Sequence, residues 1–153
     1  MQKTAIIFVG IQASGKSTFY EKQLKPLGFF QISMDLLHSR RREQELLDQC
    51  ILGGSPLVID NTNPTREDRQ RYLPKLKAAG YCVQCYFFKS RVRDCIRRNE
   101  ERGEKVPPQA IAATSNKLVL PSRKEGFDEI FFVQIAPEGF DISPYIEQQD
   151  DEI

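Results

Sequence analysis

Long apolar runs are missing from this chain of 153 residues. The longest near its start, residues 5–9, falls far short of a bilayer-crossing helix or a secretory signal core. The reading is a chain with no membrane partner and, by default, a cytoplasmic address. Histidine is scarce: His38 is the only one. The four cysteines, Cys50, Cys82, Cys85 and Cys95, include one C-x-x-C pair and no second pair. A structural zinc site wants four ligands. Cys82 and Cys85 also fall in a β-rich run, where residues three apart face opposite sides of a strand. Buried, inert thiols in a reducing compartment are the expectation. Net charge is nearly absent at +1, so no global field draws in a polyanion. No fixed-period repeat or low-complexity block occurs. With 40% hydrophobic and 28% charged residues, a disordered or collagen-like chain is excluded and one globular domain is expected. We take residues 1–146 as that domain and 147–153 as an acidic tail.

What charge there is sits unevenly. Residues 61–105 hold 12 Lys and Arg against 6 Asp and Glu, whereas residues 106–153 hold 3 against 9. A basic middle is either a polyanion-binding face or one of two solvated surfaces that balance.

Short β-branched runs alternate with helical patterns along the chain. Strands are predicted at residues 4–9, 29–33, 57–60, 81–88 and 130–135. Helices are predicted at 16–25, 35–52, 65–79, 91–102 and 107–118. Gly28, Gly53, Gly54 and Gly80 serve as stops, and Thr65 with Asp68 forms a capping box. Strand–helix alternation predicts an α/β fold with a parallel sheet covered on both faces. In such sheets ligands sit at the carboxyl ends of the strands, so chemistry is expected just after the first, second and third.

After the first strand comes Gly10-Ile11-Gln12-Ala13-Ser14-Gly15-Lys16-Ser17, the G-x-x-x-x-G-K-S pattern of a P-loop. Its glycines let the backbone curl so that successive N–H groups face inward and hold phosphate oxygens. The following helix, with Thr18 in its first turn, adds its positive N-terminal end. Lys16 reaches the terminal phosphates, and Ser17 offers a hydroxyl to Mg²⁺. A nucleoside triphosphate, with ATP and Mg²⁺ as the expected pair, is the ligand this motif takes.

The other strand ends carry polar groups too. Asp35, beyond the second strand, either faces the γ-phosphate and accepts the proton of an incoming hydroxyl or caps the helix behind it. Asp60 stands where a Walker-B acid holds a metal-bound water. Asn61, Thr62 and Asn63 line the strand mouth, as substrate contacts, as turn chemistry, or both. Arg98 and Arg102 lie four apart on one face of a basic helix. Beside a P-loop they read as a lid that neutralises charge during transfer.

Residues 10–17, Asp35, the string Ile59-Asp60-Asn61-Thr62-Asn63-Pro64, Arg98-Asn99-x-x-Arg102-Gly103 with Val106-Pro107, and Glu125-Gly126-Phe127 together resemble the kinase domain of the polynucleotide 5'-hydroxyl kinases. The resemblance spans about residues 3–135 in order and spacing. It departs at His38 and Met34, where many members carry an arginine three residues after the base or directly before it. The resemblance implies an adenylate-kinase-like P-loop kinase fold with a five-stranded parallel sheet. It also implies transfer of the ATP γ-phosphate to the 5'-hydroxyl of a DNA or RNA end. Asp35 then matches the general base, Lys16 and Ser17 the phosphate and Mg²⁺ ligands, Arg102 and Arg98 the lid arginines, and Asp60 the acid after the third strand. A kinase of a small metabolite or nucleoside, and a non-catalytic ATP-binding module, are the alternative readings.

Overall fold

Ala5, Ile6, Ile7, Phe8 and Val9 are each at most 1% exposed, which requires a strand covered on both faces. In the computed structural model, which describes residues 3–147, that strand is β1 (Thr4–Val9). It lies inside a six-stranded sheet with β2 (Phe30–Ile32), β3 (Leu57–Ile59), β4 (Cys82–Phe88), β5 (Glu129–Ala136) and β6 (Gly139–Pro144), in the order β2-β3-β1-β4-β5-β6. The first five strands run parallel, and β6 returns antiparallel to β5. The protein therefore has the α/β class and parallel core that its alternating pattern predicts. The sheet differs from the expected five-stranded one by β6. Pro137 and Gly139 read as turn residues, and Asp141 and Pro144 weaken the strand pattern, which suits an edge strand only.

Alternate residues of β1 feed two cores. Ala5, Ile7 and Val9 pack with Leu47, Ile59, Tyr72, Leu76 and Cys85 on one face. Ile6 and Phe8 pack with Phe19, Tyr20, Phe88 and Val133 on the other. The first face is covered by α3 (Arg40–Gly53) and α5 (Leu73–Ala78), with α4 (Arg66–Gln70) leading into α5. The second is covered by α1 (Lys16–Phe19), which continues through a π turn, Tyr20–Leu24, and a 3₁₀ turn, Lys25–Leu27. Phe8, Phe19 and Phe88 meet edge-to-face at 4.9 to 6.0 Å, the geometry that aromatic quadrupoles favour. A third cluster, Ile11, Cys95 and Ile111, seats α6 (Val92–Glu101) and α7 (Pro108–Lys117) against the P-loop. Cys50, Cys85 and Cys95 are buried free thiols, as expected; Cys82, at the start of β4, is free but only half-buried, contrary to that expectation. Among the described residues no group of three or more His, Cys, Asp or Glu is placed to hold a metal.

Two predicted helices are broken. Residues 35–52 divide into α2 (Met34–Leu37) and α3, because His38 adopts φ +61° and Ser39 opens a new helix by accepting the Arg42 N–H. Residues 65–79 divide into α4 and α5, because Pro74 has no N–H and restarts the helix at its first turn. The Thr65–Asp68 capping box is present. Of the expected acidic tail, residues 148–153 lie outside the described ones; Glu147 Oε1 accepts the Arg123 N–H at 2.6 Å. No helix among the described residues is long and apolar enough to cross a membrane.

The two layers beside the β3 exit are tied by one buried ion pair. Arg69, fully buried, forks onto Glu125 through Nε at 2.8 Å and Nη2 at 3.0 Å. Its Nη1 donates to the carbonyls of Asn63, Pro64 and Val119. One guanidinium thus fixes the loop after β3 and the chain leaving α7. Arg69→Ala leaves the Glu125 carboxylate buried and unpaired. The expected loss is about 3–5 kcal/mol of unfolding free energy, measured by urea titration. A loss below about 1 kcal/mol, the value of an exposed pair, would contradict this account.

Candidate active site

The P-loop curls between β1 and α1 because two of its residues tolerate what others do not. A Cβ on Gly10 would stand 2.8 Å from Ser14 Oγ and 3.0 Å from Phe88 Cβ, so a side chain there would force both to shift. Gly15 sits at φ +101°, and Ala13 takes the left-handed region at φ +64°. The loop is anchored from outside: Gly10 N–H donates to the Thr62 carbonyl at 3.0 Å, and Ile11 N–H donates to Ser90 Oγ at 3.1 Å. Lys16 folds back over it, donating to the Gly10 and Ile11 carbonyls at 2.8 Å each and to Ser14 Oγ at 3.4 Å. Burial lowers the Lys16 ammonium to about 8; the Asp60 and Asp35 charges pull upward, and Arg102 adds to the fall.

The tips of β3 and β2 complete the mouth. Asp60 Oδ2 accepts from Ser17 Oγ at 3.0 Å and from Gln31 Nε2 at 2.8 Å. Burial raises the Asp60 carboxyl above its ordinary value, against the Gln31 hydrogen bond, the Lys16 charge and the Ser17 hydroxyl. Two hard oxygens side by side at the phosphate end of the loop suit Mg²⁺, which takes few protein ligands and fills its shell with phosphate oxygens and water. Asp35 lies in the first turn of α2, exposed, and its charge acts on both Lys16 and Asp60. Asn61 Oδ1 accepts the Met34 N–H at 2.9 Å, and Asn63, at φ +46°, donates to the Phe8 carbonyl at 2.8 Å. Both amides therefore brace the strand tips from within.

The α6–α7 hairpin closes the other side. Arg98 Nε donates to the Ala13 carbonyl at 2.7 Å, and Gln12 Nε2 donates to Thr114 Oγ1 at 3.0 Å. Asn99, fully buried, bonds both ways with the Val106 backbone and ties down the turn that holds Gly103. Arg98 and Arg102 meet in a cavity of about 280 Å³ beside Thr18 and Lys22, roofed by Pro137 and Phe140 of the β5–β6 turn. The structure thus brings Lys16, Ser17, Thr18, Asp35, Asp60, Arg98 and Arg102 to one end of the sheet. Sequence reasoning missed Gln31, Ser90 and the β5–β6 turn. Ser90 was findable, since it follows β4 as Asp60 follows β3. Gln31 was not, because a polar residue inside a strand gives no sign of its partner.

Comparison with known proteins adds family and fold. A family model described as an AAA domain matches residues 39–121. A bifunctional polynucleotide phosphatase/kinase of Schizosaccharomyces pombe is 25% identical over 130 residues, covering 82% of this chain and 32% of that protein. The chain spans about a third of the length of the curated relatives it matches. A gluconokinase from Sinorhizobium meliloti superposes with a TM-score of 0.58 at 18% identity, covering 86% of this chain and 82% of that one. Kti12 of Chaetomium thermophilum, solved with ADP-AlF3, gives 0.59 at 15% identity, covering 85% and 88%. The fold is that of the P-loop kinases.

Lys16→Met retains the side-chain length without the charge. At pH 7 the variant should melt at a higher temperature than the wild type, because a buried ammonium opposes folding. With a folded-state value near 8 and an unfolded one of 10.5, the native protein binds fewer protons between them, so wild-type stability rises with pH across that window. The gap should therefore narrow from pH 8 to pH 10.5. Thermal melts in a pH series check this; a variant that melts lower at pH 7 contradicts it.

Proposed function

From the premise that this chain belongs to the AAA domain family and has the P-loop kinase fold, we propose that it transfers the γ-phosphate of ATP to the 5'-hydroxyl of a DNA or RNA end. The observation that carries this reading is geometric: at one end of the sheet the Ser17 hydroxyl bonds Asp60 Oδ2 at 3.0 Å, Arg98 Nε bonds the P-loop at the Ala13 carbonyl at 2.7 Å, and Arg98 and Arg102 share a cavity with Thr18. The naming of its relatives as polynucleotide phosphatase/kinases, and the surplus of cations in residues 61–105, support a nucleic-acid acceptor.

In this reading the amides of residues 12–18 and Lys16 hold the triphosphate, while Gly10 and Ile11, whose N–H groups are bonded to Thr62 and Ser90, shape the loop. Ser17 and Asp60 hold Mg²⁺, which supplies charge neutralisation on the phosphate oxygens when bound. Asp35 receives the acceptor hydroxyl, aligns its oxygen with the γ-phosphorus and takes its proton as the new O–P bond forms and the bond to ADP breaks. The transition state is loose, so alignment outweighs proton removal. Arg98 and Arg102 offset the charge that shifts onto the leaving group. Thr62 lies at the mouth that the acceptor passes; Asn61 and Asn63, expected as substrate contacts, instead have their amides bonded within the protein and brace that mouth. A small-metabolite acceptor is the second reading, favoured by the net charge of only +1 and by the gluconokinase likeness in fold.

Labelled ATP incubated with 5'-hydroxyl DNA and RNA oligonucleotides, beside a metabolite panel read by ADP release, separates the two. Label should appear on oligonucleotides; label on none of them discards the polynucleotide acceptor. Asp35→Asn should lower kcat by about 10²–10⁴-fold while ATP still binds. Arg102→Ala should lower kcat by about 10²–10³-fold. Full activity in either variant contradicts its role.

A further inference from the structure

The turn that carries Asp35 is held to the core at its end by Leu37, and its start has few contacts. α2 is four residues long, too short to be stable by itself, and Asp35 and Leu36 are exposed. Its N-cap Ser33 makes no side-chain capping bond. Among the described residues, the hydrogen bond from α2 to a side chain elsewhere in the chain is the one from Met34 N–H to Asn61 Oδ1.

Asn61 is in turn held by a buried polar knot. Glu43, on α3, is 2% exposed, a rare place for a carboxylate. Its Oε2 accepts from Asn61 Nδ2 at 2.8 Å and from the Tyr72 hydroxyl at 3.0 Å. Its Oε1 accepts from Arg40 at 2.8 Å. The Tyr72 hydroxyl also accepts from Arg40 at 3.0 Å and from Asn61 Nδ2 at 3.1 Å. Two elements, α3 and the start of α5, thus converge on one amide side chain at the β3 tip. Apolar packing would fill the same space at no loss of stability, since a buried ion pair seldom outperforms it. What apolar packing lacks is a fixed direction. With Nδ2 pinned by two partners, Asn61 must present Oδ1 toward the backbone N–H that precedes Asp35.

We propose that Glu43 is a positioning residue: acting through Asn61, it sets the angle at which the α2 turn offers Asp35 to the acceptor hydroxyl. This rests on the reading of Asp35 given above. The chain of contacts also explains why Met34 can stand directly before Asp35, where its backbone N–H rather than its side chain makes the link.

Two measurements on Glu43→Ala, Glu43→Gln and Asn61→Ala test it. The first is amide hydrogen exchange of the peptide holding residues 34–37, with the P-loop peptide as internal control. Glu43→Ala should speed exchange of the former about tenfold or more while leaving the latter unchanged. The second is oligonucleotide phosphorylation. Glu43→Ala should lower kcat by about 10–100-fold, as small misplacements do, with the dissociation constant of ATP unchanged. Glu43→Gln keeps an oxygen for Asn61, and half-exposed Arg40 can turn to water, so most of the rate should return. The double variant Glu43→Ala with Asn61→Ala should be no slower than the worse single one, because both cut one chain. Unchanged exchange in Glu43→Ala, faster exchange with an unchanged kcat, or additive losses each overturn the proposal. Should Glu43→Ala not fold, Glu43→Gln and Asn61→Ala carry the comparison, and equal rates in both overturn it. A wild type that phosphorylates no oligonucleotide defeats the acceptor assignment instead, and the exchange arm then decides alone whether Glu43 fixes the turn.

Discussion

Ile32 pairs with Ile59, and Ile59 with Ile7, in three adjacent parallel strands. The chain therefore leaves β2 and β3 at one level of the sheet and β1 two residues further along the same edge, so whatever follows each strand meets at a common mouth. Asp35, Asp60 and the P-loop follow those strands within a few residues. Parallel pairing, rather than any single side chain, concentrates the charges there. The register is set in turn by burial: a slip of one residue would exchange the two faces of β1, each of which fits a different core.

That concentration of charge works against folding and in favour of ligand capture. A buried ammonium and a buried carboxylate each lose hydration, and the opposing shifts of Lys16 and Asp60 record the loss. Both are held by small polar groups: loop carbonyls around Lys16, and the Ser17 hydroxyl and Gln31 amide around Asp60. These partners are neutral, so they satisfy geometry without cancelling charge. In the proposed function an incoming polyphosphate completes the electrostatics, the general reason perturbed groups gather at functional sites.

The parts of this architecture set by local rules were legible. β1, the P-loop, the Thr65–Asp68 cap and the glycine stops each follow from a few neighbouring residues, and the structure repeats them. The parts set by distant contacts were not. Leu36, Leu37, Leu46 and Leu47 keep helical spacing across His38, so periodicity ran straight through a break that only the left-handed backbone reveals. β6 pairs with a neighbour at a sheet edge, where alternation is weak. The contacts of Asn61 show the same limit at the site. Its place after the third strand marked it as polar and near the chemistry. Its partners Glu43 and Tyr72 lie 18 and 11 residues away, on elements whose packing sequence alone does not supply.

Ala13 stands at φ +64°, where a glycine would sit without strain. A methyl group there costs about 1–2 kcal/mol in the folded loop, yet it also removes most of the shapes a glycine would sample. The Arg98 contact to its carbonyl and the apolar seat beneath α6 hold that shape in place. The cradle thus has its curled shape before any anion arrives. Less freedom remains to be surrendered on capture, and the binding energy of a polyphosphate goes into grip instead of into ordering the loop.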